Sequence, residues 1–428
     1  MNLETTLKSS LEILKSNGAD DSSIFCSHQA FDELVYENDS FTLLRSVDEY
    51  SVDFSVIKDK KLGSYSVNQL SQDQLEKAGQ KTIEIAMAGK EDEAYSFAPN
   101  REHKSFSHGP ESADLDAMKK LIDDFVARAR QQYPLIGLRS VTVKFNAAQT
   151  HFANSEGASS QARKSFYMMS VLFNAQEGEL SSSMNYDSFA FTEFNIDFLS
   201  EEKFGKIFSD TTLHLKAEKL GKTVTGNAIL TPQCLQSFLS FVLSHLGTSS
   251  LVAGTSRLKG KIGEKVGSNL LTLESRPQDS MFANPNFLTG DGLETKNISI
   301  FDQGKLNTYL VDLYGKNKLK LQEASNFASR LFMPAGDKTL NEMVKEIDCG
   351  ILVGRFSGGY PNANGDFSGI AKNSFYIENG EIKQPLAETM ISGNLFDLLN
   401  DLYATSSEVY ENGTTHLPYI ATKNITIS

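Results

Sequence analysis

Residues 350–369 read Gly-Ile-Leu-Val-Gly-Arg-Phe-Ser-Gly-Gly-Tyr-Pro-Asn-Ala-Asn-Gly-Asp-Phe-Ser-Gly, followed by Phe375-Tyr-Ile-Glu-Asn-Gly-Glu-Ile, Pro385 and Ile391-Ser-Gly-Asn. Gly and Asn tolerate positive φ and allow close backbone approach. The run therefore reads either as a multi-turn connection between strands or as the lining of a groove for an extended peptide. On the second reading, Ser357, Gly358, Asn364, Gly365, Asp366 and Ser368 are the candidate groove or interface residues. Asn379-Gly380, between Ile377 and Ile382, is the preferred two-residue hairpin turn, because both positions need positive φ. The stretch places this part of the chain in a β-rich domain.

Working upstream, residues 233–246 predict a helix, with Leu235, Phe238, Leu239, Val242 and Leu246 apolar and Pro232 suited to its first turn. Before residue 220 the texture differs. Leu3, Leu7, Leu11 and Leu14 repeat at helical spacing up to Asn17-Gly18, and short strands are expected over 31–36, 41–46, 50–57 and 62–67. A second helix is expected over 70–88, then a loop over 95–112. The same order then returns: helix 113–131, strands around 140–145, 150–154, 165–173 and 180–191, and helix 201–220. The expected fold is α+β, a duplicated helix–strands–helix part followed by a β-rich C-terminal domain. The division expected is 1–100, 101–220 and 221–428.

The 428 residues carry a net charge of −13, and the densest basic stretch, 257–265, holds four cations and one Glu. Duplex binding needs clustered Lys and Arg that release counterions, so no nucleic-acid partner is expected. No run approaches about 18 uninterrupted apolar residues, so no membrane span is expected. Cys26, Cys234 and Cys349 are few, distant and odd in number. They form no disulfide framework, and each reads as a small buried side chain. With no basic n-region and apolar block at the start, a cytoplasmic location is expected.

The chemistry-bearing residues form no recognisable catalytic set. His103 and His108 fall in the expected loop and His151 at a strand turn. His245 stands at a helix end, where it would complement the dipole, and His416 precedes a Pro. Ser-x-x-Lys occurs at Ser55/Lys58, Ser200/Lys203 and Ser256/Lys259, without companion motifs. Gly221-Lys-Thr imitates the end of a P-loop, but Lys216 stands where the first Gly belongs.

Three further blocks, Gly260-Lys-Ile-Gly-Glu, Asp291-Gly-Leu-Glu-Thr and Gly304-Lys-Leu-Asn-Thr-Tyr-Leu-Val-Asp, precede the C-terminal signature in order. Together they resemble the TldD/PmbA family, although Thr289-Gly290 replaces an acidic pair usual there. The catalytic branch of that family carries His-Glu-x-x-x-His on a helix for zinc, and a metal-binding Cys near its end. The corresponding positions here fall on Leu239, Ser240 and Ser244. None of the seven histidines is followed by Glu, and no Cys follows Cys349. The resemblance therefore implies the TldE/PmbA branch: a subunit without its own catalytic, cofactor or metal residues. It would pair with a zinc-bearing TldD-like homologue to cleave unstructured peptides, zinc being the partner's cofactor. The rival reading is a homodimeric peptide-binding or regulatory protein of the gyrase-modulator type, without protease activity.

Overall fold

Alternation of buried and exposed side chains organises the first half of the chain into one eight-stranded sheet. A computed structural model describes residues 2–358 and 360–428. The sheet contains β1 (Asp21–Glu37), β2 (Ser40–Lys58), β3 (Lys61–Val67), β4 (Lys104–His108), β5 (Ile136–Asn154), β6 (Ser159–Glu177), β7 (Leu180–Ser181) and β8 (Asn185–Phe191). Its order is β3-β2-β1-β5-β6, and β6 pairs beyond that with both β4 and β8. β1 and β5 pair from Ser23↔Asn154 to Tyr36↔Val141. Residues 1–100 and 101–220 thus contribute strands to the same sheet.

Four helices cover its faces. The apolar stripe of α1 (Leu3–Ser16) and that of α2 (Gln72–Ala88) bury Leu7, Leu14, Leu75 and Ala78 against Ile24, Val52 and Phe54. α3 (Leu115–Gln132) and α4 (Lys206–Leu213) do the same over β5, β6 and β8, with Phe125, Phe173, Phe189, Phe204 and Phe208 in mutual contact. Helix–strands–helix therefore occurs twice, as the residue pattern predicts.

Several boundaries differ from the sequence expectation. β1 and β2 are longer, because polar residues such as Ser27, His28 and Gln29 can occupy a half-exposed sheet without breaking it. Residues 104–108, expected as loop, pair in parallel with β6. The expected 201–220 helix is broken: Lys203 has φ −120° and ψ −119°, and regular α-helix begins only at Lys206. Buried Phe204 and a bond from Lys203 Nζ to the Glu411 carbonyl oxygen (2.9 Å) accompany that kink.

The second half forms a thirteen-stranded sheet. Its strands are β9 (Val224–Leu230), β10 (Leu273–Ser275), β11 (Ile298–Asp302), β12 (Lys305–Leu306), β13 (Leu331–Phe332), β14 (Cys349–Val353), β15 (Arg355–Gly358), β16 (Asp366–Lys372), β17 (Ser374–Glu378), β18 (Glu381–Leu386), β19 (Thr389–Asn394), β20 (Ala404–Glu411) and β21 (His416–Ile427). Five helices join them: α5 (Pro232–Ser244), α6 (Thr248–Ala253), α7 (Leu313–Leu319), α8 (Leu340–Lys345) and α9 (Leu395–Asn400). Asn379-Gly380 turns the β17–β18 hairpin, with φ of 53° and 75° and Ile377 opposite Ile382. The fold is α+β with a β-rich C-terminal region.

One buried and one half-buried carboxyl lie where the halves meet. Asp187, on β8, is buried and receives hydrogen bonds from the Tyr410 hydroxyl (2.5 Å), Ser188 N–H (2.8 Å) and the Gln233 amide (3.2 Å). Burial raises its pKa despite those donors. Tyr410→Phe deletes one donor from an enclosed acceptor, so it should cost about 1–3 kcal/mol in urea denaturation. An unchanged midpoint would show that the hydroxyl is not needed there.

Asp291 lies beside Leu293 and Leu313, which pack with Phe25 and Phe152 of the N-terminal sheet. Burial pushes its carboxyl up to about 6, against a weak bond from Leu313 N–H at 3.4 Å. The native state then keeps a proton that the unfolded chain releases near pH 4. Its contribution is complete below about pH 4 and is lost as pH rises to about 6. Asp291→Asn should flatten that window and raise stability at pH 7 by up to about 3 kcal/mol. Parallel slopes for the two proteins between pH 4 and 6 would refute this.

Candidate functional site

α5 is the helix on which the family's metal motif would fall. Thr231 caps it, accepting from Cys234 N–H at 3.3 Å, and donates to the Gly354 carbonyl at 2.6 Å. Pro232 fills the first turn, where its missing N–H costs nothing. Leu235, Phe238, Leu239, Val242 and Leu243 are buried in the C-terminal core. The Ser240 hydroxyl bonds Gln236 O and that of Ser244 bonds Phe241 O, so both are spent on the helix backbone.

Zinc needs Cys, His or carboxylate donors. Along α5 the one residue of those types is Cys234, which is buried with its thiol pushed up to about 12 by desolvation. The residues present on this helix do not fit a zinc site. Among the described residues no group of three or more His, Cys, Asp and Glu is placed to hold a metal ion.

His245 ends the helix, but it does not serve the dipole as a cation. Its Nδ1 accepts from Arg257 N–H at 3.2 Å, and burial, then Arg257, lower its pKa. The ring packs edge-on to Phe241 and Phe396. The other histidines are also engaged. His103 bonds the Ser159 hydroxyl and His108 bonds Ala283 O. His151 lies within β5 rather than at a turn, and His416 stacks on Phe332 while bonding Glu411. The Ser256 hydroxyl accepts from Leu258 N–H, closing a turn. Cys26 and Cys234 are buried as expected, whereas Cys349 is only half-buried, at 3.5 Å from the Tyr376 hydroxyl.

The Gly-rich run lies beside this helix end. Ser357 and Gly358 belong to β15, which pairs with β16 and, among the described residues, with no other strand. Asp366 and Ser368 open β16, whose outer side chains alternate with buried Phe367. Asn364 and Gly365 form the turn before it, with Gly365 N–H bonded to Asn362 O at 2.8 Å. Gly359 lies outside the described residues.

Two glycines here answer to packing. Gly365 has φ +90°, and a Cβ there would meet the Phe396 ring at 2.6 Å. A Cβ on Gly369 would strike the Phe356 ring at 2.5 Å. The loop is closed by polar contacts: Asn394 Nδ2 donates to Asp366 Oδ1 (2.8 Å) and to Asn364 O (2.9 Å), and Asn362 Nδ2 to Asp366 Oδ2 (3.0 Å). The Asn394 amide, then that of Asn362, hold the Asp366 carboxyl below its ordinary range. An ionised carboxylate tied to two amides has no proton to deliver.

Arg257 completes the arrangement by donating from Nη1 to Asn364 O at 2.5 Å and lying over the Phe396 ring at 4.9 Å. The structure thus joins Asn364, Gly365 and Asp366 to three residues outside the expected set: Arg257, Asn394 and Phe396. Of these, Asn394 has a sequence signal, since it ends the C-terminal signature and caps α9 by accepting from Phe396 and Asp397 N–H. Arg257 has none, because it lies more than 100 residues before the loop it holds. The site offers backbone groups on a strand edge and a turn held by polar contacts.

The chain is similar to known proteins of one family. Residues 217–428 match the model of the PmbA/TldA metallopeptidase C-terminal domain. A protein of Saccharolobus solfataricus named zinc metalloprotease TldD homolog is 24% identical over 297 residues, covering 63% of this chain and 64% of that one. A metalloprotease PmbA homolog of Buchnera aphidicola is 24% identical over 212 residues, covering 49% and 47%. The aligned stretches thus span less than two thirds of those relatives. The crystal structure of TldE from Thermococcus kodakarensis superposes with a TM-score of 0.85, covering 99% of this chain and 100% of that one at 20% identity, a likeness of fold. The ordered sequence blocks, the matched C-terminal domain and the shared architecture together establish that this chain belongs to the TldD/PmbA family.

Proposed function

We propose that this chain is the non-catalytic, TldE/PmbA-type subunit of a two-component zinc metallopeptidase acting on unstructured peptides. The observation that carries the reading is the composition of α5. Leu239 is buried there, and the hydroxyls of Ser240 and Ser244 are turned onto helix carbonyls. A metal-bound water needs a site with protein ligands and an open position, and this helix supplies none. The name of the Thermococcus kodakarensis TldE accords with the same branch. Zinc would belong to a TldD-like partner in a heterodimer, in the cytoplasm.

The chain's own contribution would be to enclose the substrate. An extended peptide gains affinity from main-chain hydrogen bonds to a strand edge, and β15 has such an edge beside Ser357 and Gly358. The turn at Asn364–Asp366 would then set the shape of the groove. Folded proteins would be excluded because their backbone groups are already paired. On this reading Ser368 and Asp366 shape the groove wall and perform no chemistry.

Elemental analysis of the purified chain after gel filtration should show no stoichiometric zinc. One zinc per chain, lost to a chelator together with peptidase activity, would overturn the proposal. Asp366→Ala should impair co-purification with a His-Glu-x-x-x-His homologue and lower peptide cleavage in proportion, leaving the partner's zinc content unchanged. Normal assembly with abolished cleavage would instead place Asp366 in the chemistry.

A further inference from the structure

A cavity of ≈ 300 Å³ lies between the two halves of the molecule, away from the Asn364–Asp366 turn. That volume is at the lower end of the range of about 300–1,000 Å³ typical of small-molecule sites. Ile207 of α4 lines one side, and Leu352 of β14 and Phe375 of β17 line the other. A compact ligand with an apolar part would therefore touch both halves.

Arg355 gives the cavity its chemistry. The residue lines the cavity, and its Nη1 is shut off from solvent with no hydrogen-bond partner among the described residues. Its guanidinium lies over the Tyr186 ring at 4.7 Å, and Nη2 reaches Met184 O at 3.4 Å. Stacking orders the plane of the fork. Arg355 is half-exposed and pairs with no carboxylate among the described residues, so its charge is open to an anion in the cavity. The other two cations of the wall are engaged, Lys206 with Asp210 at 3.0 Å and Lys203 with Glu411 O at 2.9 Å.

The sign and number of charges narrow the ligand. Three cations of the lining face four carboxylates, three of which, Glu201, Glu202 and Glu408, are exposed. Repulsion from that wall grows with the charge of the ligand, so it disfavours a dianionic phosphate more than a single carboxylate, which the Arg355 fork can pair. The exposed carboxylates suit an ammonium group on the same ligand.

We propose that this cavity binds a small carboxylate with an apolar substituent, a free amino acid or the terminal residue of a short peptide, held through Arg355. Arg355 opens β15, but the site uses its side chain rather than the strand's backbone edge and needs no metal-bearing partner, so it stands or falls separately from the peptidase reading. Occupancy would brace the two halves against each other, and ligand that binds only the folded chain raises its melting temperature.

Titration calorimetry on the whole chain, with thermal melting alongside, tests the proposal using N-acetyl-leucine, leucine, alanyl-leucine, leucinamide and inorganic phosphate. N-acetyl-leucine should bind and raise Tm, and leucinamide, which lacks the carboxylate, should bind at least about tenfold more weakly. Arg355→Gln should weaken N-acetyl-leucine by about tenfold or more, with partial recovery in Arg355→Lys. Tighter binding of alanyl-leucine than of leucine assigns the site to peptide termini, and the reverse order assigns it to free amino acids. Should Arg355→Gln fail to fold, the comparison of N-acetyl-leucine with leucinamide on the unaltered chain decides. Equal affinity for those two compounds would overturn the proposal. So would an unchanged Kd in a folded Arg355→Gln, tighter binding of phosphate, or no binding of any carboxylate up to about 10 mM.

Discussion

Burial of one apolar helix shapes the C-terminal half. α5 brings Leu235, Phe238, Leu239 and Val242 into a core shared with Ile351, Phe367, Ile391 and Ile425, so strands must curve around it from several directions. The helix is pinned at both ends, by Thr231 to Gly354 and by His245 to Arg257. A helix closed in this way cannot also present ionised donors at Leu239 without desolvating them. The packing that stabilises this chain is thus the same feature that makes α5 unfit for zinc.

The two ends of α5 connect different parts of the molecule. Near its start, Gln233 reaches Asp187 on the N-terminal sheet. Near its end, Arg257 bridges to the Asn364–Asp366 turn and to Phe396. The joint between the halves therefore mixes buried polar groups with aromatic contacts such as Phe189 with Tyr410. Such polar networks fix a relative orientation more sharply than apolar contact does, since each donor has one satisfactory partner.

Much of the fold was legible from local signals. Leu3 to Leu14 and Leu235 to Leu246 carry helical periodicity, and Asn379-Gly380 carries its turn in two residues. The continuity of β1 and β2 was not legible, because Ser22, Ser23 and Ser27 pair within a sheet whose neighbours come from distant sequence. The kink at Lys203 was hidden for a similar reason, as its side chain is held by Glu411, 208 positions away. At the candidate site, the glycines and asparagines signalled a constrained loop, but Arg257 gave no local sign of its contact. Asp187 stands in register with Phe189 and Phe191 on the same strand face, and that alternation marks it as inward-facing.

The order of strand pairing separates the halves in time as well as in space. β1 meets β2, and β5 meets β6, through short turns between sequence neighbours. β9 has no such neighbour: Gly350 pairs beside Asn227 in parallel, and Ile420 pairs beside Leu230 on the other side. Closing loops of that length costs entropy before any contact repays it, and such topologies fold slowly. Hairpins of the N-terminal sheet can collapse while β9 still waits for partners nearly two hundred residues downstream. Until they arrive, the apolar face of α5 is exposed, which makes the unfinished C-terminal half the part of the nascent chain most in need of protection from aggregation.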